Sequence, residues 1–446
     1  MIKIFIPDNF IPERSYAVSV LIQHYCNVDI EIVPSSLHND YELTWDDKSI
    51  FIKDHFFGLI PEGENYLDEK YIPEKIHSTQ SLGLDHILLL FGEEHLETTR
   101  DSIICHVDLF AGIFFMLTRW EEAVIKEKDQ HNRFPASQAL VVKEGKILRP
   151  IVDEYAALLR YWLLTLGYPI QAEVREFKVV PTCDVDNPYY WKSKSKWRLL
   201  AGRLKRDPNP IHLIKDWKES IEVSNGKKQD PYDQFDYMMN VAEQFDQRFQ
   251  FNMIGGGQTR FEGNYDIDDP RIKALMQKMV GRSHTIGVHP SYDSFLDSAK
   301  IEKEREAVSH QFGSAVSSSR QHYLRFDVPG TWRCLSEAGI REDSTLGYAA
   351  EPGFRCGTCK PFPVFDIIQR KELPLMERPL LIMDVSLHMY KKYSIPESIA
   401  LCQKIIEQVK KHNGELVILW HNSSLSELDG WKGWNEVLEF LLSARF

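Results

Sequence analysis

The chain has no apolar run approaching the ~20 residues that a membrane-spanning helix needs. Its N-terminus, MIKIFIPDNF, offers too short an apolar stretch and no small-residue cleavage site for a secretory leader. A cytoplasmic protein is therefore the expectation. Cysteine is scarce, seven in 446 residues, odd in number and widely scattered, which excludes a disulfide framework and fits free thiols in a reducing compartment. Only Cys356 and Cys359, in CGTC, stand close together, and no second pair exists to complete a four-thiolate zinc site. Positive charge is also short: 53 Lys and Arg face 65 Asp and Glu, a formal net charge of −12. That balance argues against a general nucleic-acid binder, because nothing global would offset phosphate repulsion. Low-complexity tracts and short repeats are absent, so disorder is not expected over most of the length.

What is present is ample material for a core, with 43% apolar and 12% aromatic residues in a chain long enough for two domains. IKIFIP and DIEIVP read as short strands around the helical period of SYAVSVLIQHYC, and DHILLLFG as another strand. From Asp108 the pattern turns helical, through LFAGIFFMLTRWEEAVI and RPIVDEYAALLRYWLLTLGYP, which ends in a Gly-Tyr-Pro stop. A boundary between 170 and 176 follows, giving a mixed α/β domain over 1–172 and a second domain over 173–446.

The second domain alternates strands and helices. FKVVPTCD, FQFNMIGG, HTIGVHP, HYLRF, LGYAA, LLIMDVSL and GELVILWHN are the expected strands, with helical stretches such as DYMMNVAEQFDQR and IPESIALCQKIIEQVKKH between them. Seven strands in this pattern predict an α/β fold with a parallel barrel, whose chemistry collects at the C-terminal ends of the strands. Asp184 and Asp186 end the first strand and His289 the third; Arg320 and His322 flank the fourth, Asp384 lies late in the sixth, and His421 ends the seventh. Each alone is better explained by a turn or a core position. Together they predict a site.

Residues two apart share a face of a strand, so the Asp184-x-Asp186 pair can offer one carboxylate to a metal and keep the other as a base. His289 supplies an imidazole, and Asp293, four residues on, an oxygen if the chain bends into a helical turn. Such donors suit zinc or another borderline divalent ion, which would polarise an acyl oxygen and lower the pKa of bound water. His421 is placed to protonate a leaving group.

These residues, over about 175–446, resemble the polysaccharide deacetylases of the carbohydrate esterase family 4 type. The resemblance implies a distorted (β/α)7 barrel, with TCDVD giving Asp184 as general base and Asp186 as metal ligand. HPSYD keeps His289 and has Asp293 where the family places a second histidine, so Asp293 is the expected third ligand, with water and His322 as alternatives. Arg320, in SSRQHYLRF, matches the arginine that orients the base, although the usual Pro-Tyr-Gly is missing. LVILWHN gives His421 as the acid, and Asp384 the carboxylate that orients it. TRWEE, Asp129 and NRF resemble an accessory domain that precedes some deacetylases; Arg119, Glu121 and Glu122 are equally explained by a salt-bridged interface.

The implied activity is metal-dependent removal of an acetyl group from an N-acetylated sugar. The alternatives are a non-catalytic glycan-binding relative, which Asp293 favours, and another metal-dependent amide or ester hydrolase. His322, Tyr292 and Trp420 are the expected substrate contacts, by stacking for the two aromatics. The glycines of NMIGGGQTR, Gly255 to Gly257, lack a phosphate-loop continuation and read as a flexible rim loop. Over 191–206 a basic, Trp-containing stretch fits either a solvated helix or peripheral contact with an anionic membrane or a lipid- or nucleotide-linked glycan.

Overall fold

Alternating apolar residues in IKIFIP bury Ile2, Ile4 and Ile6 on one side, the pattern of a strand with one covered face. The computed structural model describes residues 1–84, 86–170, 176–192, 209–257, 259–263 and 265–444. In it β1 (Ile2–Pro7), β2 (Ile30–Ser35), β3 (Tyr41–Trp45) and β4 (Lys48–Ile52) precede a small ladder of β5 (His77–Thr79) and β6 (Ile87–Leu89), then β7 (Gly92–Thr98) and β8 (Ser102–Val107). The N-terminal sheet runs β2-β1-β3-β4-β8-β7, parallel at β1/β2 and β4/β8 and antiparallel elsewhere. Helix Leu109–Leu117, LFAGIFFML, is buried all round, as an all-apolar helix must be. Asp108 caps it, accepting from the Ala111 amide at 2.9 Å.

The second sheet opens with β9 (Lys178–Val185) and continues through β10 (Gln250–Met253), β11 (Thr285–Val288), β12 (Ser318–Ser319), β13 (Glu342–Asp343), β14 (Phe362–Asp366), β15 (Lys371–Glu377), β16 (Ile382–Met383) and β17 (Glu415–Leu419). Its order is β14-β15-β13-β12-β11-β10-β9-β17-β16, parallel throughout except for β14. The Gly353 amide donates to the Leu381 carbonyl at 2.9 Å, and Ser386 Oγ to the Ala349 carbonyl at 2.7 Å. An irregular segment beyond β13 thus lies against β16. The fold is mixed α/β, a smaller mixed-sheet unit followed by a larger parallel-sheet unit. The expected boundary at 172/173 falls within 171–175, outside the described residues.

Five of the seven expected strands fall where the sequence places them. HYLRF does not: the strand is Ser318–Ser319, and His322–Leu324 forms a short 3-10 turn. LGYAA is irregular chain, the strand being Glu342–Asp343 just before it. Two-residue strands of polar residues carry no alternation to read. The β14/β15 hairpin is not among the expected strands; its pairing shifts register between Pro363 and Phe365, as a proline in a strand requires.

That hairpin docks the N-terminal unit. Tyr16 donates its hydroxyl hydrogen to the Pro363 carbonyl at 2.8 Å and its ring lies 4.9 Å from that of Phe365, while Arg370 pairs with buried Glu13 at 2.6 Å. A second link is wholly buried. Arg119 pairs with Glu121 at 2.9 Å and Glu122 at 2.8 Å, and Arg355 of the larger unit holds the other Glu122 oxygen at 2.5 Å. The TRWEE string therefore builds an ion-pair network at the junction.

Candidate active site

Asp184 lies in the last turn of the pleat in β9, directly across from Asn252 of β10. Asn252 Nδ2 donates to Asp184 Oδ1 at 2.7 Å, and Arg320 Nη1 approaches the same oxygen at 3.2 Å. Arg320 is itself fixed by the Ser344 carbonyl at 2.8 Å and Thr182 Oγ1 at 2.5 Å, and is 0% exposed. The carboxylate is thus clamped through one oxygen, leaving Oδ2 free of that clamp. Asn252 was missed in the sequence, although a lone amide inside the apolar FQFNM was the available signal.

Beyond β9, Asp186 meets two imidazoles. Its Oδ1 lies 3.3 Å from His289 Nε2 and 3.3 Å from His322 Nε2. Parallel pairing of Val288 with Ser319 brings the ends of β11 and β12 level, so the two rings stand 4.8 Å apart. His289 Nδ1 is 2.5 Å from the Arg320 carbonyl. A carbonyl only accepts, so in the neutral ring Nδ1 carries the proton and Nε2 presents its lone pair toward Asp186. Asp186 Oδ1 is buried and has no aligned hydrogen-bond donor. One carboxylate oxygen and two imidazole nitrogens converging in this way suit zinc or a similar divalent ion, and the residues fit the metal that the sequence resemblance implies.

The electrostatics agree. Burial would raise the Asp186 pKa, yet the facing His322 and His289 hold it well below the usual carboxylate range. Burial would lower His289, but the charges of Asp184 and Asp186 raise it. Positive charge is what this cluster demands.

His421, at the end of β17, receives Asp384 from the end of β16. Its Nδ1 donates to Asp384 Oδ1 at 2.9 Å, and its backbone amide to Oδ2 at 2.7 Å. Burial alone would lower the imidazole pKa; the charge and hydrogen bond of Asp384, with Asp186 and Asp184 adding to them, raise it to about 10. His421 Nε2 stands 3.7 Å from Asp186 Oδ2. Asp184, Asp186, His289, His322 and His421 all line one cavity of about 280 Å³, walled by Phe261, Tyr323, Tyr390 and Arg133.

Three expected site residues lie elsewhere. Asp293 is ion-paired to Lys300 and half exposed, because residues 291–297 turn away from the cavity; His322 occupies the third position instead. Trp420 is 0% exposed in the core, so no sugar can stack on it. Tyr292 stacks on Phe261 at 4.1 Å and shares its hydroxyl with His131, which leaves Phe261 as the ring facing the cavity. The glycine loop is packed rather than loose: a Cβ at Gly255 would sit 2.2 Å from the Glu304 carbonyl oxygen. Cys356 and Cys359 are buried, and burial pushes both thiols up. Of the basic 191–206 stretch, all beyond Lys192 lies outside the described residues.

Replacing His322 with Ala is expected to weaken zinc or cobalt binding by more than the about 10- to 100-fold that loss of a supporting contact costs. Asp293→Ala should leave it unchanged. Metal titration of both variants by calorimetry checks this.

Residues 2–168 match the model of DUF7033, a family of unknown function. No curated protein matches the chain. Similar solved structures include a probable polysaccharide deacetylase from Pseudomonas aeruginosa PAO1, at 10% identity and TM-score 0.38, covering 60% of this chain and 84% of that one. The polysaccharide deacetylase Bc1974 from Bacillus cereus is similar at 12% identity and TM-score 0.29, over 60% and 86%. A family 4 acetyl xylan esterase from Clostridium thermocellum, in complex with a cobalt ion, is similar at 11% and 0.27, over 60% and 82%. At such values the functional reading rests on the residues of the cavity.

Proposed function

We propose that the protein is a metal-dependent hydrolase that removes the acetyl group of an N-acetylated sugar in a glycan, a glycan precursor or a peptidoglycan-type substrate. One observation carries the reading. A clamped carboxylate and an imidazole–carboxylate dyad both border the Asp186, His289 and His322 cluster, with Asp184 Oδ2 3.8 Å from His289 Nε2 and His421 Nε2 3.7 Å from Asp186 Oδ2. A divalent ion in that cluster supplies Lewis acidity toward an acyl oxygen and acidifies water. Asp184, fixed by Arg320 and Asn252, takes a proton from the attacking water. His421, held by Asp384, gives the proton from Nε2 to the departing nitrogen as the carbon–nitrogen bond breaks, leaving acetate and a free amine. Phe261, Tyr323 and Tyr390 offer aromatic walls for a sugar ring. His322, beside Asp186 and His289, supports a metal-bound reading over the metal-free one that Asp293 favours. The seven free cysteines fit the reducing interior of a cell, and no described helix is long and apolar enough to cross a membrane.

The test is release of acetate together with new primary amine from N-acetylated chitooligosaccharides by the zinc- or cobalt-loaded protein. Release from O-acetyl esters alone would move the reading to an esterase. Glycan binding without release, at saturating metal, would make it a binding protein.

The dyad also sets a pH dependence. Because Asp384 raises His421, the acid stays protonated through neutrality and is lost only as pH rises through its elevated pKa. Asp384→Asn should move the alkaline limb of the kcat profile down toward the ordinary imidazole range of about 6.5, measurable as a shifted high-pH limb in the rate of acetate release.

A further inference from the structure

The three histidines of the cavity are not held alike. His289 gives its Nδ1 hydrogen to the Arg320 carbonyl, and His421 to Asp384. His322 Nδ1 is buried and has no hydrogen-bond partner among the described residues. A ligating imidazole is ordinarily oriented through its second nitrogen. Orientation of His322 must therefore come from the backbone that carries it and from the rings beside it, His289 and Tyr323.

That backbone is held in an uncommon shape. Tyr323 (φ 61°) and Leu324 (φ 53°), directly after His322, are both left-handed, a conformation that neither side chain favours and that surrounding contacts must maintain. Phe261 and Tyr292 of the larger unit pack on the Tyr323 ring, and Arg325 donates to the Tyr292 carbonyl; the remaining contacts come from the N-terminal unit. Arg133 Nη1 donates to the Tyr323 carbonyl at 2.8 Å. The His131 ring lies 4.9 Å from that of Tyr323, its carbonyl accepts from Arg325 Nε at 2.9 Å, and Lys128 pairs with Asp327 at 2.8 Å. The loop bearing these groups is ordered by Asp129, which accepts from the His131 amide at 2.8 Å, the Arg133 amide at 2.9 Å and Arg133 Nε at 2.8 Å. It is a preformed clasp closed over the turn.

We infer that the Asp129–Arg133 loop of the N-terminal unit is a latch that positions His322 for metal binding, with Arg133 as the positioning residue. The inference rests on the metal-centre reading above, and it gives the N-terminal unit a part in the chemistry. The latch acts at one ligand only, and that makes it separable from a general effect on folding.

The experiment is titration of the metal-stripped, full-length chain with Co(II) alone, followed by its visible absorption bands. Arg133→Ala is expected to weaken Co(II) binding by about 10-fold or more and to alter the bands, because the ligand geometry changes. In a His322→Ala background the same substitution should produce no additional loss, since the group it positions is gone. Should Arg133→Ala not fold, Arg133→Lys takes its place; it keeps a donor for the Tyr323 carbonyl but loses the fork onto Asp129, and intermediate affinity is expected. Wild-type affinity and bands in the substituted protein would overturn the latch while leaving the metal centre standing, as would an equal loss in both backgrounds. A wild-type chain that takes up no Co(II) overturns the metal centre and the latch together.

Discussion

Asp184→Asn is expected to lower acetyl release by about 10²- to 10⁴-fold, the range a positioned general base contributes, with metal affinity little changed. The amide keeps the shape of the carboxylate and its place between Arg320 and Asn252, but it cannot accept the proton of the attacking water. Its distance from the ligand set is what makes the two readouts separable. Asp184 Oδ2 lies 3.8 Å from His289 Nε2, whereas Asp186 Oδ1 lies 3.3 Å from both His289 Nε2 and His322 Nε2. Measuring kcat/KM beside a cobalt titration decides it. If Asp184→Asn loses metal as thoroughly as Asp186→Asn does, both carboxylates are ligands and the base must be sought elsewhere.

The largest effect on stability belongs to Glu122. Its carboxylate lies between Arg119 and Arg355, all three excluded from water. Glu122→Gln leaves buried Arg355 facing a neutral amide and Arg119 with Glu121 alone, and breaking a buried pair in this way costs about 3–5 kcal/mol. The pH dependence follows from the same geometry. Burial would raise the Glu122 pKa, but Arg355 and Arg119 lower it from 4.5 to about 2. The folded state therefore binds this proton less readily than the unfolded chain does, so the contribution is complete above the unfolded value and is lost as pH falls toward about 2. Urea unfolding of the wild type and the variant between neutral pH and pH 3 tests both points. A midpoint shift equivalent to less than about 1 kcal/mol, the usual worth of an exposed pair, would show the network to be solvated in solution.

The two predictions concern the parts of the molecule that the sequence disclosed unequally. TCDVD and LVILWHN could be read directly, because a strand's end is marked locally by where the β-branched run stops and a polar residue follows. Asp184, Asp186, His289, Asp384 and His421 came from that rule; all but Asp384 line one cavity, and buried Asp384 reaches it through His421. Arg119, Glu121 and Glu122 could be read as a salt-bridged interface, which they form, but the partner that closes it, Arg355, could not be named, being more than 200 residues away in sequence.

The third ligand position shows where local reading stopped. Spacing within one segment offered Asp293, four residues beyond His289, and a helical turn would have brought it round. The chain turns toward Lys300 instead, and parallel pairing of β11 with β12 supplies His322 from the adjoining strand end. Trp420 failed as a sugar platform for a related reason. Successive residues of a strand face opposite ways, so the tryptophan next to cavity-lining His421 and Leu419 points into the core. By itself, then, the sequence determined five of the strands and most of the acids and imidazoles at their ends, because those are properties of a residue and its neighbours. Which donors converge, which ring faces the cavity and how the N-terminal loop grips the His322 turn were decided by strand register and by contacts between units, distances that no local spacing encodes.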